Sequence, residues 1–159
     1  MVRGPVRTSF IVVGGAGAVA AVCVAVGETL GYAGFAAAWT VHFLLMAWTS
    51  AVIDALGPAL SGSWFRVRAW EPGLYRRLGA WSFMRLLRRI GWERAMRASR
   101  SFDGTRATLA AFDRDTRRSE LAHTLLGAAG VLLAVVAAIA GAWTAVAWHT
   151  VLTILLHAY

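Results

Sequence analysis

From residue 121 to residue 159 the chain carries no Asp, Glu, Lys or Arg, and only His123, His149 and His157 could take up a positive charge there. Immediately before that run, residues 64–120 hold fourteen of the sixteen arginines. About 20 apolar residues cross a bilayer core, so a charge-free run of this length suits two membrane crossings better than one core helix. Arginines so dense sit only in water or among lipid headgroups. The juxtaposition points to a polytopic membrane protein with a basic segment against one face of the bilayer.

Composition excludes the main alternative. The 159 residues are 58% hydrophobic with a formal net charge of +8, and a soluble domain of this size cannot hide so much apolar surface. The positive balance alone would fit nucleic acid, but the flanking apolar runs favour anionic lipid headgroups or an anionic acyl carrier. Cys23 is the single cysteine and lies in an apolar run, so it reads as a packing residue, with no disulfide framework or metal cluster. Arg3 and Arg7 before an uncharged stretch imitate a signal peptide. That stretch, residues 8–27, is longer than a usual signal core, so a retained first helix is expected.

The chain reads as an all-α integral membrane protein with four transmembrane helices and a basic amphipathic interfacial segment between spans two and three. Residues 1–60 hold the first two spans, 8–27 and 35–56, ended by Gly57-Pro58. Residues 61–120 form the basic segment. Within it Pro72-Gly73 is a break, and residues 74–99 place Leu74, Leu78, Trp81, Met84, Leu87 and Ile90 at helical spacing among arginines. Such a helix is expected to lie in the interface plane. A turn is expected at Asp103-Gly104. Residues 121–159 hold spans three and four, 121–140 and 143–159, joined at Gly141. Arginines before span one and after span two put both termini in the cytoplasm of a multi-pass plasma-membrane protein.

That orientation brings Asp54, Glu120, His123 and His157 to one level beside the arginines, and ionisable groups in spans tend to mark function. Glu120 and His123 are spaced i, i+3 and share a helix face. A carboxylate beside an imidazole orients the ring and raises its basicity, which suits general-base work on a hydroxyl. The plainer alternative is a pair of helix-end groups reaching water, with Glu120 favoured by the helix dipole. Asp54 also reads as a cap or an arginine partner. His149, Thr153 and His157 also read as a hydrogen-bonding seam, and His42 as a packing residue. There is no HExxH, no phosphate loop, no GxSxG elbow and no dinucleotide fingerprint, so no metal or cofactor is expected.

Three stretches resemble the glycosyl diaponeurosporenoate acyltransferase family, small membrane enzymes of carotenoid tailoring. They are Phe65-Arg66-Val67-Arg68-Ala69-Trp70-Glu71 followed by Leu74-Tyr75-Arg76-Arg77-Leu78-Gly79, then Arg118-Ser119-Glu120-Leu121-Ala122-His123, and the apolar close His157-Ala158-Tyr159. The resemblance implies transfer of a fatty acyl group to a sugar hydroxyl of a glycosylated membrane lipid, and makes Glu71, Arg118, Glu120 and His123 the functional candidates. On this reading His123, oriented by Glu120, is the base. Arg118 and its neighbour Arg117 hold an acyl-CoA or acyl carrier protein donor, with Asp54 and His157 also in the substrate site. The acceptor is a lipid-linked sugar or carotenoid, and no nucleic acid is involved. Two rivals remain: a non-enzymatic membrane subunit that binds lipid or stabilises a partner protein, and group transfer from a nucleotide-bearing methyl donor.

Overall fold

The structure is a computed structural model that describes residues 4–95 and 105–157. Among them every regular element is helical. The chain divides into two compact units, Met1–Pro58 with Ser119–Tyr159, and Ala59–Arg118.

In the first unit, α1 (Pro5–Ser9), a π-helical turn (Phe10–Gly14) and α2 (Gly15–Leu30) run on as one apolar rod of 26 residues. Pro5 opens it, where a missing N–H costs nothing. The rod ends at Gly31, whose φ of 84° no other L residue readily adopts. The Tyr32 ring lies over Gly27, where a Cβ would collide with it. Its hydroxyl donates to Glu28 Oε1 at 2.9 Å, and that bond, with partial desolvation, holds the phenol above its usual pKa. Helix α3 (Phe35–Leu56) follows and stops where Gly57 turns left-handed, its N–H donating to Ile53 O at 2.9 Å. This is the expected Gly57-Pro58 stop.

Helix α7 (Leu109–Ile139) has 31 residues, about 46 Å at 1.5 Å per residue. Its first ten residues carry Asp113, Arg114, Asp115, Arg117 and Arg118, and its apolar part follows without a break. The third span therefore begins as a helix well before the apolar run. Gly141, with φ 70°, turns the chain into α8 (Trp143–His157). Among the described residues three helices are long and apolar enough to cross a membrane: Pro5–Leu30, Phe35–Leu56 and Arg106–Ile139, the last counting the 3₁₀ turn before α7. Helix α8 is apolar but has 15 residues, about 22 Å against a hydrocarbon core of roughly 30 Å.

The core of this unit is thin and made of small side chains. Ala37, Ala38 and Ala55 of α3 and Ala145 of α8 are buried, with Ile53, Leu126 and Leu152. The large apolar residues face outward, as with Ile139, which is 83% exposed. That inversion is what lipid demands: tails solvate Ile and Val as well as a core would, so helices associate through close backbone approach and hydrogen bonds. The α2–α3 contact shows both devices. Trp48 of α3 donates its indole N–H to Ile11 O and Val12 O, each at 3.2 Å, inside the π-turn where the regular helical ladder is disturbed. Gly15 makes room, since a Cβ there would lie 2.6 Å from Trp48 Cδ1.

The second unit holds a 3₁₀ turn (Ser63–Phe65), α4 (Glu71–Arg77), α5 (Ala80–Arg89) and α6 (Trp92–Ala95). One continuous basic helix over 74–99 is corrected by this: Gly79 (φ 82°) and Gly91 (φ 78°) end the helices before them. The expected turn at Asp103-Gly104 and the end of that stretch lie outside the described residues.

Trp48→Phe, which keeps the ring and removes the donor, should cost about 1 kcal/mol. Gly15→Leu should cost about 1–3 kcal/mol through overpacking. Both should lower the SDS fraction at which the purified protein unfolds.

Candidate functional site

Residues 116–124 of α7 read Thr-Arg-Arg-Ser-Glu-Leu-Ala-His-Thr, where a charged helix becomes an apolar one. Glu120 is exposed and His123 is half-buried, three residues apart and so on one face of the helix. Thr124 donates its hydroxyl to Glu120 O at 2.9 Å, which satisfies the hydroxyl within the helix as the apolar part begins. Asp54, in the last turn of α3, is exposed. His157 is the final residue of α8, and its side chain lies outside the described residues.

The remaining sequence candidates belong to the second unit. Arg117 is committed to protein partners. Its Nη1 donates to Leu60 O at 2.8 Å, its Nε lies 2.9 Å from Asp113 Oδ2, and its guanidinium stands 5.9 Å from the centre of the Phe65 ring. It ties the segment after α3 to the first turns of α7, using the fork of donors that lysine lacks. Arg118, next in sequence, is half-buried. Glu71 is the first residue of α4 and half-buried, where a carboxylate suits the positive end of the helix dipole.

A buried polar cluster lies apart from the sequence candidates. His42 of α3 and His149 of α8 are 2% and 8% exposed, and His149 Nδ1 lies 3.3 Å from His42 Nε2. One ring must donate and the other accept, so neutral imidazoles of opposite roles satisfy the contact. Thr153 donates to His149 O at 2.7 Å. Gly130 of α7 faces the same point, where a Cβ would strike Thr153 Oγ1 and come within 3.0 Å of His42 Cε1. Three helices therefore meet at one polar point inside apolar surroundings. A seam involving His149 was legible in the sequence. Its partner was not, because His42 alone in an apolar span looks like any packing residue.

The joint also sets depth. From Gly130 back to His123 is about 10 Å along α7, and to Glu120 about 15 Å, at 1.5 Å per residue. The two histidine features are thus separate: one sealed between helices, the other at the polar end of the apolar run. An open apolar groove of about 310 Å³ lies elsewhere in this unit, lined by Phe10, Gly15, Val19, Leu44, Ala47 and Trp48 among others. The residues that line it carry no charge.

Residues 61–159 match the family described as glycosyl-4,4'-diaponeurosporenoate acyltransferase. No curated protein and no solved structure matches the chain. The matched stretch takes in Glu71, Arg117, Arg118, Glu120, His123 and the α8 histidines, and it leaves out Asp54 and His42. Since that stretch covers more than half of the 159 residues, this chain belongs to the glycosyl-4,4'-diaponeurosporenoate acyltransferase family of carotenoid tailoring.

Proposed function

We propose that the protein moves a fatty acyl group from an acyl thioester to a hydroxyl of a glycosylated, carotenoid-like lipid at the cytoplasmic face of the plasma membrane. The observation that carries this reading is the Glu120–His123 pair on one face of α7, where the helix passes from charged to apolar sequence. A water-soluble donor and a lipid acceptor share only such a boundary.

His123 takes the proton of the acceptor hydroxyl as its oxygen attacks the thioester carbon. The new C–O bond forms, the C–S bond breaks, and the proton passes to the departing thiolate. Glu120 orients the ring and offsets the charge of the imidazolium. Arg118 binds the anionic donor, an acyl-CoA or acyl carrier protein, while Arg117 braces its neighbour through Leu60 and Asp113. Glu71, Asp54 and His157 supply further polar contacts to the substrates. The groove beside Gly15 and Trp48 takes hydrocarbon from the acyl chain or the acceptor. No metal or cofactor enters this scheme.

The topology that goes with it has four crossings, with α8 as the fourth, both termini in the cytoplasm and the basic segment at the interface. Local bilayer thinning and snorkelling of flanking polar groups accommodate a short span at modest cost. The segment 31–34, free of Arg and Lys, faces out, and residues 59–118 face in.

In a Cys23→Ser background, Gly34→Cys should react with an impermeant maleimide in intact cells, and Ser63→Cys only after permeabilisation. The reverse pattern would overturn the orientation.

His123→Ala should lower acyl transfer from acyl-CoA to a glycosylated carotenoid acid by about 100-fold or more, the usual worth of a general base, with expression and elution volume unchanged. Glu120→Gln should lose less. Full turnover by His123→Ala would remove the proposed base.

A further inference from the structure

Helix α5 divides its residues sharply. Ala80, Phe83 and Leu87 recur at i, i+3 and i+7 and are half-buried. Ser82, Arg85, Leu86 and Arg89 recur at i, i+3, i+4 and i+7, are all exposed, and line a cleft of about 290 Å³. Arg85 Nη2 donates to Ser82 Oγ at 3.2 Å, which lays the guanidinium along the stripe. Among the described residues no carboxylate pairs with Arg85 or Arg89, whereas Arg117 is paired with Asp113. Two guanidinium forks and a hydroxyl facing one small cleft match the oxygens of a phosphate group.

The surroundings of the stripe indicate the source of that phosphate. Trp81 is 63% exposed and Ile90 65%, and Leu78 and Met84 are exposed as well. A basic helix flanked by uncovered Trp, Met, Leu and Ile is the pattern of a surface that rests among headgroups, with rings and aliphatic groups at the acyl boundary. The chain enters this unit directly after α3 and leaves it through the helix that becomes the third span. Both ends are therefore tied to membrane-crossing helices.

We propose that the Ser82–Arg85–Arg89 stripe of α5 seats the phosphate of an anionic phospholipid headgroup. The seat depends on the chain spanning a membrane and is independent of the acyl-transfer chemistry at His123. It makes anionic lipid a bound component of the protein and fixes α5 against the bilayer surface.

Native mass spectrometry of the full-length protein, released from detergent and titrated with phosphatidylglycerol or phosphatidylcholine, tests this. Phosphatidylglycerol adducts should form preferentially. The double variant R85Q/R89Q should weaken them roughly 25-fold, about fivefold for each guanidinium near an anionic headgroup. R76Q/R77Q removes the same charge from α4 and should weaken them much less. Ser82→Ala, which cannot disturb an exposed helix face, should weaken them a few-fold. Equal losses in the two double variants would mean diffuse attraction and overturn the seat. Displacement of phosphatidylglycerol by equimolar coenzyme A would also overturn it, by showing a site for soluble phosphate. Failure here leaves the His123 reading untouched, because acyl transfer is not the readout.

Discussion

Two imidazoles taken out of water and pressed together between α3 and α8 govern how the helices of the first unit are placed. A polar group in hydrocarbon without a partner costs several kcal/mol, whereas a His42–His149 hydrogen bond satisfies one nitrogen on each ring at once. Rotating either helix by one residue, about 100°, would carry its ring away from the other. Gly130 completes the joint by letting α7 approach where any side chain would strike Thr153. The contact thus specifies rotation and depth for three helices, which apolar packing alone would leave loosely defined.

The same economy recurs between α2 and α3. Gly15 supplies the space, Trp48 supplies a donor, and the π-turn supplies two carbonyls. In both places a small residue opens the backbone and a side-chain hydrogen bond closes the contact. The bulky residues are released to face lipid, which explains why so many of them are exposed while four of the seven buried hydrophobic residues are alanine.

Helix α7 links this architecture to chemistry. It is regular from Leu109 to Ile139 and changes from charged to apolar without changing conformation. Glu120 and His123 sit at the change, in register with a helix whose rotation is set about 10 Å further on by Gly130. Side chains placed this way do not depend on a loop for their position, and they lie within the stretch that matches the acyltransferase family.

Membrane character, helical class and the family were all legible from residues alone. The charge-free run after Leu121, the Gly57-Pro58 stop and the Arg-Ser-Glu-Leu-Ala-His sequence are local patterns, and solvation by lipid or water acts on such patterns directly. The extent of the helices was read less well. Gly79 and Gly91 interrupt what looked like one amphipathic helix, because a glycine is compatible with both helix and left-handed turn and apolar periodicity does not distinguish the two. The commitment of Arg117 to Leu60 and Asp113, and the union of His42 with His149 across 107 positions, belonged wholly to the tertiary structure. Periodicity reports which side of a helix is apolar, but a hydrogen bond between helices distant in sequence exists only once they have been brought side by side.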